Sequence, residues 1–104
     1  MILRITGPER VVEIAERGEY HITRGSKVIM LCGNDSSPQI LAVGHTSISR
    51  DHLIITVDDT VTLTDKDSKF GSFIDDERFE KIILKEGKYA LRLGRVNFQL
   101  YYER

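Results

Sequence analysis

"VNFQLYY", residues 96–102, sets Val96, Phe98, Leu100 and Tyr102 against Asn97, Gln99 and Tyr101 without a break in the alternation. A period of two sends these sets to opposite faces of an extended strand, one for a core and one for water. The same pattern recurs upstream. "YALRL" (89–93) groups Tyr89, Leu91 and Leu93 opposite Ala90 and Arg92, and "TVTLT" (60–64) sets Val61 and Leu63 against threonines. Further strand candidates are "ILRIT" (2–6), "RVVEIA" (10–15), "EYHITR" (19–24), "KVIML" (27–31), "QILAV" (39–43), "HLIITV" (52–57) and "KIIL" (81–84). Short turn signals divide them: "TGPE", "RGE", "GNDSSP", "VDDT", "KEGK" and "LGR". "VDD" reads as a tight hairpin connection, and "GNDSSPQ" (33–39) as a mobile loop. No window carries a helical stripe, so the reading is an all-β sandwich or barrel.

The 104 residues fit one domain, 1–104, with a core of its own and no room for a second. With 15 basic and 16 acidic residues the formal net charge is −1, so the chain lacks the overall basic field of a nucleic-acid-binding domain. Any anion site must be built locally from a few placed cations. The one cysteine, Cys32, cannot form an internal disulfide, which favours a reducing compartment. Its neighbours in "VIMLCG" make it a small buried hydrophobe. No apolar run is long enough for a transmembrane helix, and "MILRITGPER" lacks the features of a signal peptide. The expectation is a soluble intracellular protein.

"HTSISRDHLII" (45–55) brings Ser49, Arg50 and His52 together ahead of an apolar run. As an enzyme fragment it fails: Asp51 points away from its neighbours on a strand, and there is no nucleophile elbow. As a metal site it fares no better. His21, His45 and His52 are scattered, Cys32 has no partner at zinc-ligand spacing, and "DDERFE" (75–80) reads as a solvated turn rather than a calcium loop. No catalytic residue, metal or cofactor is expected. An anion site reads better. Arg24 ends the strand in "YHITRGSK", "SISRDH" offers a hydroxyl and a guanidinium, and "DKDSKFGSF" (65–73) adds Lys69 in a third polar turn. Loops of a sandwich cluster at its ends, where such groups can converge on a phosphate.

The order Y-x-I-x-R, S-R-x-H, S-K-F-G-S-F, L-x-L-G and F-x-L over residues 19–103 resembles a forkhead-associated (FHA) domain. The resemblance implies a two-sheet antiparallel β-sandwich of about eleven strands that binds phosphothreonine peptides through loops at one end. It assigns phosphopeptide contacts to Arg24, Ser49, Arg50, Lys69 and Phe70, with Lys69 in place of a usual threonine. His52 and Gly71 match loop-structural positions, the histidine bracing loops rather than moving a proton. Two residues depart from the family pattern: Thr23 replaces a glycine, and Phe70 replaces an asparagine that holds the peptide backbone. The long interval between Arg24 and Ser49 implies an inserted strand pair or a longer loop.

Within the family, "SISRDH" and "DSKFGSFIDDERF" are most similar to nibrin-type FHA domains, which belong to a subunit of the complex that processes DNA double-strand breaks. That likeness implies a nuclear protein whose partner carries phosphothreonine in an acidic Ser-Asp-Thr-type motif, with subunits of a break-repair complex as possible partners and neither direct nucleic-acid nor membrane contact. The alternative is an FHA-fold module that scaffolds an assembly without reading phosphate.

Overall fold

Among the described residues, ten of the twelve strands fall where apolar and polar residues alternate: β1 (Ile2–Thr6), β2 (Val11–Ile14), β3 (Gly18–Arg24), β4 (Val28–Gly33), β5 (Gln39–Val43), β6 (Asp51–Val57), β7 (Val61–Asp65), β10 (Lys81–Leu84), β11 (Gly87–Leu93) and β12 (Val96–Glu103). The other two, β8 (Ser72–Ile74) and β9 (Glu77–Arg78), are too short for any period to show. They form a hairpin whose turn residues Asp75 and Asp76 both have positive φ, 49° and 68°. "DDERFE" is therefore a turn and a return strand, not a solvated turn alone. The structure, a computed structural model, describes residues 1–33, 37–44 and 47–104. Asn34, Asp35 and Ser36 of the expected mobile loop, and His45, lie outside the described residues.

The strands form two antiparallel sheets of six, ordered β2-β1-β12-β11-β8-β9 and β10-β7-β6-β3-β4-β5. This is a β-sandwich, with twelve strands where about eleven were expected, and β4 and β5 fill the interval between Arg24 and Ser49. Alternation decides which residues meet inside. Leu3 and Ile5, Leu91 and Leu93, and Phe98 and Leu100 face Ile22, Leu53, Ile55 and Leu63 across one shared core.

Two breaks in the alternation carry information. The β3–β6 register runs from Ile22↔Leu53 to Thr23↔Asp51, so His52 is the extra residue of a β-bulge. The β4–β5 register skips Leu41 in the same way. Each bulge turns two consecutive residues inward: His52 with Leu53, and Leu41 with Ala42. His52 is thereby driven into the core end of the sandwich, 0% exposed.

Cys32 is half-buried rather than buried. The inward positions of β4 belong to Ile29 and Leu31, which leaves Cys32 on the outer face beside Thr23 Oγ1 at 3.7 Å. On the same face His21 lies between Asp51 (3.1 Å) and Glu19 (3.2 Å). Burial alone would lower its pKa, but these two carboxylates outweigh it and raise the value. Its pairing stabilises the fold below the ordinary histidine pKa near 6.5 and is lost as pH rises through the higher folded-state value.

Truncating an inward residue should therefore cost far more than truncating its outward neighbour. Leu63→Ala, at a position with no exposure, is expected to lose about 2–5 kcal/mol in urea unfolding. Thr62→Ala, on the opposite face, should lose less than about 1 kcal/mol. Equal losses would contradict the assigned faces.

Candidate functional site

Four connections from both sheets are tied together at one end of the sandwich by backbone donors. Arg24 N–H donates to Arg50 O at 2.7 Å, joining the β3–β4 turn to the β5–β6 loop. Lys69 N–H donates to Ser49 Oγ at 2.9 Å, joining the β7–β8 loop to the same β5–β6 loop. The β11–β12 turn closes the set: Gly94 N–H donates to Gly71 O at 2.9 Å, and Arg95 N–H to Ser47 Oγ at 3.2 Å. The polar turns holding Arg24, Ser49 with Arg50, and Lys69 with Phe70 are thus neighbours in space.

His52 holds the centre of this arrangement. Ser49 N–H donates to its Nδ1 at 3.0 Å, and its Nε2 lies 2.9 Å from Gly71 O. Both bonds are satisfied only by the neutral ring with its proton on Nε2, a tautomer assigned from this network. Burial pushes the His52 pKa down, against the opposing pull of the Gly71 carbonyl and of Asp65, whose Oδ1 is 3.7 Å from Nε2. The ring bonds backbone on both sides, which leaves neither nitrogen free to act on a substrate.

Asp65 and Gly94 are parts of the site that the sequence reading did not single out. Burial acts to raise the Asp65 pKa, but hydrogen bonds from Ser68 and Ser72, together with His52, bring it below the ordinary carboxylate value. Its Oδ1 accepts from Ser68 Oγ at 2.6 Å and from Ser72 Oγ, and its Oδ2 from Ser68 N–H at 3.0 Å. Ser68 Oγ in turn accepts Gly71 N–H at 3.0 Å. The carboxylate therefore shapes the whole β7–β8 loop, and its D-x-x-S spacing is the one local signal of that role. At Gly94, φ is 59° and an added Cβ would stand 1.9 Å from Ser47 O. No side chain fits between the two loops there.

What this frame presents outward is cationic. Ser49 is half-buried, and because its oxygen accepts from Lys69 N–H, its own hydroxyl proton remains for a further acceptor. Arg50 and Lys69 are exposed, and the Lys69 ammonium sits 5.4 Å from the Phe70 ring centre. Phe70 itself is 45% exposed, an apolar ring at the rim rather than in the core. The Nε of Arg24 is buried and, among the described residues, has no hydrogen-bond acceptor. None of Arg24, Arg50 or Lys69 forms an ion pair among the described residues. A hollow of about 760 Å³ lies elsewhere, on the outer face of the first sheet. There Arg4 is already paired with Glu13, and the Tyr101 hydroxyl with Glu103.

A family model described as "FHA domain" matches residues 30–94. No curated protein matches the chain. Among solved structures, one from a study of phosphothreonine-dependent FHA domain interactions superposes with a TM-score of 0.75 at 20% identity, over 100% of this chain and 99% of that one. The FHA domain of CT664 from Chlamydia trachomatis gives a TM-score of 0.73 at 18% identity, with 100% of both chains covered. The FHA/BRCT-repeat structure of S. pombe Nbs1 gives 0.69 at 19% identity, over 97% of this chain and 35% of that one.

Two outcomes follow from the frame. Because the folded state resists protonating His52 and the unfolded chain does not, the stability this neutral ring contributes is present above pH about 6.5 and declines as pH falls below it. Urea unfolding of wild type and His52→Gln from pH 7.5 to 5.0 should show the gap between them narrowing with acidification; a gap independent of pH would contradict the neutral assignment. Gly94→Ala should cost about 1–3 kcal/mol and shift the amide resonances of Ser47, Ser49 and Gly71. Wild-type stability with unchanged amides would overturn the close approach.

Proposed function

The chain belongs to the FHA-domain family, and on that footing we propose that it is a non-enzymatic module that recognises phosphothreonine in a partner protein or peptide. The observation that carries this reading is the buried Arg24 Nε–H, which has no acceptor among the described residues, at the end where the Ser49 hydroxyl and two cations without ion pairs among those residues also gather. A phosphate brings about −1.5 to −2 charges and three acceptor oxygens. Arg24 offers it a guanidinium, Ser49 a hydroxyl, and Arg50 and Lys69 mobile positive charge. Such a set binds and orients a phosphoryl group. Among the described residues no base stands ready to activate a nucleophile there, since His52 is fully engaged with backbone.

The finer proposal concerns the partner. The likeness of "SISRDH" and "DSKFGSFIDDERF" to nibrin-type FHA domains supports an acidic Ser-Asp-Thr-type motif in a DNA double-strand-break repair protein, and with it a nuclear location. The exposed Phe70, standing where the family's asparagine would grip the peptide backbone, favours a peptide contact made through an aromatic ring instead.

Titration of matched threonine and phosphothreonine peptides by calorimetry tests the proposal. Phosphorylation is expected to tighten binding by at least tenfold, and Arg24→Ala and Ser49→Ala should each remove most of that gain in folded protein. Equal affinity for both peptides would overturn it. Phosphate-independent capture of a partner that survives Arg50→Ala would support scaffolding instead.

A further inference from the structure

Gly71 ends the β7–β8 loop, and two side chains crowd its Cα from the outer face of the first sheet. A Cβ there would meet Arg78 Nε and the edge of the Phe73 ring, each at 3.1 Å. The strand registers place Arg92 opposite Phe73, and Phe73 opposite Arg78, in one cross-strand row. The Arg92 guanidinium lies 3.8 Å from the Phe73 ring centre, and its Nη1–H donates to Gly94 O at 2.8 Å. Arg92 is thus fixed by a ring beneath it and by the carbonyl of the turn that closes the loop end.

Arg92, held over the Phe73 ring, and Arg78, opposite Phe73 in the same row and close against Gly71, set two cations beside the loops that carry Ser49 and Lys69. Neither Arg78 nor Arg92 forms an ion pair among the described residues, and no acceptor among them takes the remaining N–H groups of Arg92. Holding the Arg92 charge in place in advance removes much of the entropy that an anion would otherwise cost a flexible arginine. We propose that Arg78 and Arg92, set either side of Phe73, form a second anion subsite that takes an acidic side chain of the same bound peptide. This rests on the phosphothreonine reading, since that reading places the peptide across the adjoining loops. The ligand group is a planar or tetrahedral oxyanion, which a peptide can supply as a carboxylate or as a second phosphate.

The test uses three peptides: phosphothreonine with neutral flanks, with aspartate flanks, and with a phosphoserine in the flank. Wild type is expected to bind at least one acidic version tenfold or more tightly than the neutral one, and the larger gain identifies the oxyanion. In Arg78→Gln/Arg92→Gln that gain should fall below threefold while affinity for the neutral-flanked peptide stays within twofold. Lys88→Gln, further along β11, should leave the gain intact and so separate a local subsite from bulk charge. A gain that survives the double substitution, or that is lost equally in Lys88→Gln, overturns the subsite. If no phosphothreonine peptide binds wild type, the phosphothreonine reading fails. An unphosphorylated aspartate-rich peptide then tests the arginine pair alone: shifts of the Arg78 and Arg92 Nε–H resonances support it, and their absence overturns it. Binding of a single-stranded oligonucleotide that the double substitution abolishes would reassign the surface away from peptides.

Discussion

A neutral imidazole without solvent contact ties Ser49 to Gly71, residues that stand on different loops and on different sheets' connections. Everything at this end of the sandwich depends on that bridge. Ser49 can aim its hydroxyl outward only because its own N–H is held by the ring and its oxygen by Lys69 N–H. Gly71 O is shared between His52 and Gly94 N–H, so the same bridge also fixes the β11–β12 turn. The ring reaches this position because a β-bulge breaks the alternation of β6 and sends His52 inward beside Leu53. A buried ring with either nitrogen unbonded would lose about 1–3 kcal/mol, which sets how strictly both partners are required.

The frame and the surface it displays have opposite polar logic. Inside, the bracing groups meet partners of defined geometry: Asp65 takes Ser68 and Ser72, and His52 takes two backbone groups. On the side facing a ligand, Arg50 and Lys69 form no ion pair among the described residues. That division keeps the loops rigid while leaving charge available to a ligand, which is the arrangement that a tight, oriented phosphate contact needs. A chain with a net charge of −1 can hold such a site because the field that matters extends only about 8–10 Å at physiological salt.

The sequence showed the strands better than the frame. A period of two is visible over β11 and β12 because seven or eight residues repeat it several times, whereas β8 and β9, with three and two residues, cannot repeat it at all. Neither bulge was legible, because "HLIITV" reads as ordinary alternation unless the partner strand's register is known. Cys32 looked buried for its apolar neighbours, and only the pairing of β4 with β3 shows that it faces out beside Thr23. The candidate site residues were legible through their order in the chain, yet their proximity was not, since loop convergence depends on pairings far apart in sequence. Asp65 escaped for a different reason: D-x-x-S is a weak local signal, and only the structure shows three hydrogen bonds from Ser68 and Ser72 converging on this carboxylate.

The account turns on the Arg24 Nε–H, which has no acceptor among the described residues, being held ready for an anion, and nuclear magnetic resonance can watch that proton directly. Titrating the protein with a phosphothreonine peptide should move the Arg24 Nε–H resonance strongly downfield, together with the amides of Ser49 and Lys69, and the unphosphorylated peptide should leave all three in place. If the phosphorylated peptide binds while Arg24 Nε–H stays where it was, the loop end is not a phosphate receptor and the account is wrong.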